Sequence, residues 1–174
     1  MNRPDRVRAL RISLGAATVA SAAVRLYPVA VRTVVRHNFR LFMAGDADAL
    51  LRTFADDATL VLDGTHSWSG HHRGKAAIRA FLQRFLDENI RGDLHEVFVA
   101  GPPWRTRTAA RFTDAAIDAS GRIVYENHAM IVGRIRWGKI VHQQVFEDTQ
   151  RVARFDEYLR RVSSESGTED PGAQ

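Results

Sequence analysis

The order of the hydrophobic patterns predicts an α+β fold. Apolar residues recur at helical spacing from Val29 to Phe42 and again from Gly74 to Asn89, while the chain from Leu94 to Glu147 holds only extended segments joined by short turns. Helices followed by a series of long strands are typical of a curved antiparallel sheet that wraps around the helices. We therefore expect three helices on the N-terminal side, a sheet after them and a short helix at the end.

Glycine and aspartate mark the boundary between the first two helices. Gly45 follows the first apolar repeat, and glycine commonly ends a helix. Asp46 is a suitable N-cap for a second, short helix, because its carboxylate accepts hydrogen bonds from the free amides of a first turn. The apolar residues of this segment are Leu50, Leu51 and Phe54.

A strand pair and a third helix are predicted next. Ala58–Leu62 has the composition of a strand and runs into a turn at Asp63-Gly64. A second short strand is expected over His66–Gly70. The third helix covers Gly74–Asn89, and its apolar face is formed by Ile78, Phe81, Leu82, Phe85 and Leu86.

The second half of the chain is expected to form four strands and a closing helix. The predicted strands are Leu94–Ala100, Arg105–Thr113, Arg122–Ile135 and Lys139–Glu147. The closing helix has Val152, Phe155, Leu159 and Val162 at helical spacing.

The charge of the chain is concentrated near its N-terminus. The 174 residues carry a net charge of +5, but residues 1–44 hold eight arginines and one aspartate, a net charge of +7. The remaining residues hold 17 basic and 19 acidic side chains, a net charge of −2. The basic residues also lack the aromatic strand face of an RNA-binding sheet. We therefore expect no nucleic-acid partner.

The two ends of the chain differ from its middle. Residues 1–26 are a basic, weakly apolar extension, residues 27–162 are the predicted domain, and residues 163–174 lack apolar anchors and are expected to be a disordered tail. Three interpretations of residues 1–26 stay open: a cleaved signal segment, a helix on a membrane surface, or a helix packed on its own domain. We expect a cytoplasmic protein, with membrane association through residues 1–26 or export by a signal as the alternatives.

Two stretches of the sequence carry a resemblance to a known family. Residues Phe42–Phe81 read FMAGDADALLRTFADDATLVLDGTHSWSGHHRGKAAIRAF, and Trp137–Leu159 read WGKIVHQQVFEDTQRVARFDEYL. Both resemble the nuclear transport factor 2-like superfamily and, within it, the SnoaL-like polyketide cyclase and ketosteroid isomerase branch. The resemblance implies a cone-shaped sheet around a pocket for a small apolar ligand, and a homodimer formed through the sheet.

Acid–base chemistry in such a pocket needs a carboxylate whose pKa is raised by burial. Ketosteroid isomerases place their catalytic aspartate three residues after the threonine of Ala-Asp-Asp-Ala-Thr; Leu62 occupies that position here, and Asp63 follows it. Asp63 is therefore a candidate catalytic residue, and a turn aspartate is the structural alternative.

The last predicted strand supplies a second candidate. SnoaL-like cyclases and limonene epoxide hydrolases carry an aspartate three residues before the one that begins the closing helix, where this chain has Val145. Glu147 is two residues further on, so it shares a strand face with Val145 and Gln143 and is a candidate for the missing carboxylate. Its alternative role is to place negative charge at the start of the closing helix.

Other candidates are expected to bind or orient a substrate. The epoxide hydrolases use an Arg-x-Asp pair on a middle strand. Arg111 supplies the arginine, Thr113 stands in place of the aspartate, and Glu96 and Glu147 are the candidate partners of Arg111. His66 is the histidine best placed to act as a base. The predicted pocket-lining residues are Trp68, Trp104, Arg111, Asn127 and Val145, and Tyr125 is a further aromatic candidate.

No metal or cofactor is expected. The seven histidines lack the spacing of a metal site, and the absence of cysteine excludes disulfides, thiolate ligands and a cysteine nucleophile. The sequence therefore favours a small-molecule-binding domain, with cofactor-independent acid–base chemistry on a ring or carbonyl compound as the working hypothesis. A non-catalytic ligand-binding or protein-interaction module is the alternative, so the sequence leaves open whether the chain is an enzyme.

Overall fold

Residues 26–166 form helices around one face of a six-stranded sheet in a computed structural model, and the description below covers those residues. The helices are α1 (residues 26–43), α2 (Ala47–Leu51), α3 (Gly74–Asp87) and α4 (Thr149–Ser166). The strands are β1 (Phe54–Leu62), β2 (Gly70–Arg73), β3 (Ile90–Ala100), β4 (Thr106–Ile117), β5 (Ile123–Arg136) and β6 (Lys139–Glu147).

The predicted α+β class is confirmed, with three helices before the long strands and one helix after them. Several details differ from the expectation: β1 begins at Phe54, β3 begins at Ile90, and β4 continues to Ile117. The sheet is not wholly antiparallel, because β1 and β6 pair in parallel. The closing helix has 18 residues and continues to Ser166, past the predicted start of the tail at residue 163. The rest of that tail and the predicted extension before Leu26 lie outside the described residues.

The boundary between α1 and α2 has the predicted chemistry. Gly45 has a φ of +101°, which suits glycine at a helix end. The Asp46 carboxylate accepts a hydrogen bond from the Ala49 amide at 2.9 Å and so caps α2. None of the helices within residues 26–166 is both long and apolar enough to cross a membrane.

The second strand begins later than expected. The sequence predicts the strand over His66–Gly70, but residues 63–69 form a turn, and β2 starts at Gly70, which pairs with Leu62. The turn is held by Ser69, whose amide and hydroxyl both donate to the carbonyl of His66, at 3.0 and 2.5 Å. Those bonds reverse the direction of the backbone. Because they occupy the carbonyl of His66, it is not free to pair with a neighbouring strand.

The strands lie in the order β2-β1-β6-β5-β4-β3, so the last strand lies in the middle of the sheet. Alternate residues point to the inner face, which the helices cover, and to the outer face. On the inner face, Phe112 of β4 lies beside Ala129 of β5, which lies beside Glu147 of β6. On the outer face, Arg111, Met130 and Phe146 are neighbours in the same order.

The core lies between the inner face and the helices. Trp68, in the turn before β2, is 2% exposed and packs against Phe85 of α3 and Phe155 of α4. Ile78 of α3 and Val152 of α4 are fully buried. These contacts hold α3 and α4 over one end of the sheet, where the polar residues described next are found.

Candidate functional site

A cavity of about 330 Å³ lies between α1, α3 and the inner face of the sheet. Its walls are mostly aliphatic and aromatic. The lining side chains that carry a polar group are Tyr27, Asn38, Thr53, Trp68, Thr108, Asp114, Gln143 and Glu147. A cavity with apolar walls and a few polar groups is the usual form of a small-molecule site.

Asp114 is a buried carboxyl group on the inner face of β4. It is 2% exposed, and it follows the alternation that also buries Phe112 and Ala116. The hydroxyl of Tyr125 donates to its Oδ2 at 3.2 Å, while Oδ1 accepts no hydrogen bond from the described residues. Burial raises the pKa of Asp114 to about 6, against the opposing effect of the Tyr125 hydrogen bond.

Glu147 is the second buried carboxyl group and is the last residue of β6. Its side chain is 4% exposed, and Oε1 accepts no hydrogen bond from the described residues. Burial, with a contribution from the negative charge of Asp114, raises the pKa of Glu147 to about 7. As the sequence indicated, Glu147 shares its face with Val145 and Gln143, and all three line the cavity.

The register of the sheet brings the two carboxyl groups together. Asp114 on β4 lies opposite Asn127 on β5, and Glu147 on β6 lies opposite Ala129 on β5. Asn127 and Ala129 are two positions apart, so their side chains share one face. The carboxyl groups therefore flank β5 on the inner face, one diagonal step apart.

His66 packs beside Glu147. Its side chain is fully buried, and Nε2 lies 3.8 Å from Glu147 Oε1 and 3.0 Å from the carbonyl oxygen of Asp63. A carbonyl only accepts, so Nε2 carries a hydrogen and donates to it. Nδ1 is buried and has no hydrogen-bond partner among the described residues.

Aromatic and amide side chains complete the surroundings of the pair. Asn127 is fully buried, and its amide nitrogen donates to the carbonyl of Asp148 at 3.2 Å. Burial and the charge of Asp114 raise the pKa of Tyr125, which keeps its hydroxyl protonated and able to donate. Trp68 lines the cavity, stands edge-on to Tyr125, and donates its indole N–H to Glu88 at 2.7 Å.

Five sequence candidates do not line the cavity. His66 and Asn127 are buried behind its wall, so the prediction that Asn127 lines the pocket is wrong. The other three lie further from it. The Asp63 carboxylate is exposed and accepts a hydrogen bond from Gln144 at 2.8 Å. Arg111 points to the outer face, where it pairs with exposed Glu96 at 3.1 Å and not with Glu147. Trp104 is 57% exposed, in the connection between β3 and β4.

Asp114 was missed by the sequence analysis. The Arg-x-Asp comparison stopped at Thr113, one residue short, and Thr113 is on the outer face because it is adjacent to two inward residues, Phe112 and Asp114. The alternation of buried Ala110, Phe112 and Ala116 was the available signal, since it requires residue 114 to point inward.

No metal site is apparent in this part of the chain. Among residues 26–166, no three histidine, aspartate or glutamate side chains are grouped so as to hold a metal ion. Burial raises the pKa values of both Asp114 and Glu147 to near neutrality.

Comparison with known proteins gives the family. The model of the SnoaL-like domain matches residues 35–143, which is more than half of the chain. The chain belongs to the SnoaL-like family. No curated protein matches its sequence.

Solved structures share the fold of this SnoaL-like domain. They include Bal32a from a soil-derived mobile gene cassette, with 22% identity, a TM-score of 0.59, and coverage of 72% of this chain and 95% of the other. An NTF2-like protein from Burkholderia xenovorans has 22% identity, a TM-score of 0.55, and coverage of 74% and 97%. A Mycobacterium tuberculosis protein in complex with estradiol-17beta-hemisuccinate has 17% identity, a TM-score of 0.58, and coverage of 70% and 95%. At these identities the likeness shows the fold alone.

Proposed function

We propose that this SnoaL-like domain binds a small, largely apolar ring or carbonyl compound and catalyses cofactor-independent proton transfer on it. The observation that carries the proposal is the pair of buried carboxyl groups, Asp114 and Glu147, in the wall of an apolar cavity. Carboxyl groups with pKa values near 7 are suited to giving and taking protons at neutral pH.

The two carboxyl groups are assigned opposite roles. Asp114 keeps the lower pKa because Tyr125 donates to it, so it is the one that ionises first and acts as the base. Glu147 keeps its proton to about pH 7 and acts as the acid that hydrogen-bonds to a substrate oxygen. His66 contacts Glu147 and the backbone of Asp63, and we assign it the role of positioning Glu147.

The cavity supports a substrate with rings and few polar groups. Its volume of about 330 Å³ is at the lower end of the range for ligand sites. The Mycobacterium tuberculosis protein of similar fold holds a largely apolar ring compound, estradiol-17beta-hemisuccinate. An enolisable cyclic ketone places an acidic C–H and an oxygen acceptor in one small apolar molecule, which suits a base and an acid facing one cavity.

The proposal is tested by proton exchange at carbon. We expect the wild-type chain to accelerate exchange of the α-hydrogens of 2-tetralone with D2O, measured by proton NMR. Asp114→Asn removes the base and Glu147→Gln removes the acid, and each substitution is expected to reduce the rate about 100-fold or more. The rate should rise with pH through about 6 and fall above about 7, because the active form has Asp114 ionised and Glu147 protonated.

Asp63→Asn is the matched control, because its carboxylate is exposed outside the cavity and the exchange rate should stay at the wild-type value. Binding of 2-tetralone, followed by NMR line broadening, should persist in all three variants. Binding with no accelerated exchange in the wild type would contradict catalysis and favour the non-catalytic ligand-binding module.

A homodimer through the sheet is proposed on a second observation. An outer apolar patch, formed by Phe98, Ala109, Met130, Val132 and Phe146, runs across β3 to β6. Phe98, Val132 and Phe146 are 55%, 42% and 49% exposed. An apolar surface that continues over four strands is typical of a protein interface. A second copy of this chain, with the same patch, is the occupant we assign to it.

A further inference from the structure

Two tryptophans are exposed side by side at one end of the sheet. Trp104 lies in the connection between β3 and β4, Trp137 lies in the turn between β5 and β6, and they are 57% and 70% exposed. Their ring centroids are 5.9 Å apart. The amide of Trp137 donates to the carbonyl of Pro103 at 2.8 Å, which ties the two connections together. We call these connections, residues 101–105 and 137–138, the tip.

The folded chain gains little from placing tryptophans at the tip. Each indole leaves most of its apolar surface in water, whereas a tryptophan buried in the core would stabilise the fold. Trp137 also has a φ of +51°, a left-handed backbone conformation that is uncommon for residues other than glycine and asparagine. The left-handed backbone of Trp137 and the exposure of both rings suggest a role outside the fold itself.

Unpaired arginines surround the two tryptophans. Arg105 follows Trp104, Arg136 precedes Trp137, and both are exposed. Arg107 and Arg134 face each other in the adjacent part of β4 and β5, where both are also exposed. None of the four guanidinium groups makes an ion pair or hydrogen bond with a described residue. The tip therefore combines apolar surface with positive charge that the described residues leave uncompensated.

The start of α1 lies at the same end of the molecule. The Tyr27 hydroxyl is 2.7 Å from the Thr106 hydroxyl, and Thr106 is the first residue of β4. Beside Tyr27, Leu26 and Val29 are 65% and 51% exposed. The chain before Leu26 carries five arginines and one aspartate, so this basic sequence joins the domain at its tip.

We propose that the tip docks on the surface of an anionic lipid bilayer. Tryptophan favours the level of the lipid headgroups, where its ring is in the apolar region and its N–H reaches water. Arginines beside the rings pair with lipid phosphates, and each basic residue near an anionic membrane adds to binding. The exposed aliphatic side chains of Leu26 and Val29 favour lipid over a nucleic acid as the partner.

The test uses the full chain with vesicles of phosphatidylcholine alone and of phosphatidylcholine with phosphatidylglycerol at a ratio of about 3:1. We expect co-flotation with the anionic vesicles only, because the arginines need lipid charge. Trp104 and Trp137 should then shift their fluorescence emission to the blue and be quenched by brominated lipid. Trp68 is 2% exposed inside the domain and should not contribute to either change.

Two double variants test the tip directly. Trp104→Ala with Trp137→Ala should reduce vesicle affinity about tenfold or more and abolish the emission shift. Arg105→Gln with Arg136→Gln should reduce it roughly fivefold per arginine removed. The circular dichroism spectrum of each variant should match that of the wild type, because all four side chains are exposed.

Matched controls lie elsewhere on the surface. Ile117→Ala with Ile123→Ala removes exposed apolar side chains at the β4–β5 hairpin, at the opposite end of β4 and β5 from the tip. Arg154→Gln with Arg161→Gln removes exposed arginines from α4. Both control variants should bind the anionic vesicles as the wild type does.

Three results would overturn the proposal. One is the absence of binding to anionic vesicles. The second is binding with no change in tryptophan emission, which would assign the contact to the basic sequence before Leu26. The third is binding of a single-stranded oligonucleotide that depends on Trp104 and Trp137 while vesicles do not bind, which would assign the tip to nucleic acid.

Discussion

Asp114 and Glu147 each work against the folded state at neutral pH. A carboxyl group whose pKa is raised by burial binds its proton more tightly in the folded chain than in the unfolded chain. The free energy of unfolding therefore falls as the pH rises from the ordinary pKa towards the raised one. A leucine at either position would avoid this loss of stability. The presence of two carboxyl groups in the cavity wall is therefore not explained by packing.

Asp114→Asn should reverse that pH dependence in part. In the wild type, raising the pH from about 4 to above 7 ionises Asp114. Its pKa is 3.8 in the unfolded chain and about 6 in the folded chain. That shift corresponds to a loss of about 3 kcal/mol in the free energy of unfolding. The amide does not ionise, so the stability of the variant relative to the wild type should increase by about that amount between pH 4 and pH 7.5.

Urea unfolding at both pH values measures the change. Glu96→Gln is the control, because this carboxylate is about half exposed on the outer face and its substitution should leave the pH dependence near that of the wild type. If Asp114→Asn and the wild type lost stability in parallel over this range, Asp114 would be ionised in the folded chain throughout, and its assignment as a base with a raised pKa would be contradicted.

The sequence predicted Glu147 and not Asp114 for a physical reason. Glu147 is two residues after Val145 in the same strand. Because side chains two positions apart point to the same face, spacing alone places Glu147 beside Val145. Asp114 lies one residue past Thr113, where the predicted strand ends, whereas β4 continues to Ile117. The pairing of Asp114 with Asn127 depends on the register of two strands, and a single sequence does not contain that register.

At the scale of elements, the connection between β1 and β2 determines where His66 lies. The sequence predicts a short strand over His66–Gly70 after the turn at Asp63-Gly64, but the bonds from Ser69 to the carbonyl of His66 close a turn instead. Gly64 allows that turn: its φ is +128°, and a Cβ there would stand 2.6 Å from Cδ2 of His66. The absence of a side chain at Gly64 therefore leaves room for the imidazole beside Glu147.

Gly64→Ala should destabilise the fold and displace His66. We expect a loss of about 2 to 3 kcal/mol in the free energy of unfolding, from backbone strain together with the clash. Gly121→Ala is the matched control, because Gly121 has a φ of +84° with open space around it and should lose only about 1 kcal/mol from strain.

Urea unfolding of the double variant Gly64→Ala with His66→Ala isolates the clash. Removing the ring should restore at least about 1 kcal/mol relative to the sum of the two single effects. Additive losses would show that the methyl group and the imidazole do not meet, and that the position of His66 is set by other contacts.

At the scale of the whole molecule, two surfaces face outward in different directions. The outer apolar patch covers the middle of the sheet, while the tip occupies one end of it. The residues of the patch and of the tip are different, so the proposed dimer contact does not use Trp104 or Trp137. A dimer would therefore present two tips, and membrane binding would gain from having both in contact at once.

Phe98→Arg with Val132→Arg should convert the dimer into a monomer. The two side chains face each other across Ala109 on the outer face, so two added positive charges from each copy would meet in the interface. Sedimentation equilibrium should give twice 19.5 kDa for the wild type and 19.5 kDa for the variant.

Ile117→Arg is the control, because it adds charge at the exposed hairpin end of β4 and should leave the dimer intact. The monomeric variant should keep the circular dichroism spectrum of the wild type, since both substituted residues are exposed. A wild-type chain that sediments as a monomer would contradict the dimer.

The central position of β6 has a consequence for how the protein is made. β1 lies beside β6 and not beside β3 or β4, so a growing chain leaves the ribosome with one edge of β1 unpaired until the last strand has been synthesised. One edge of β5 also stays unpaired until β6 has been synthesised. Glu147, at the end of β6, lies near Asp114 only after β6 has paired with β5. During synthesis, the apolar inner face of the sheet therefore stays incomplete until the final third of the chain has been added.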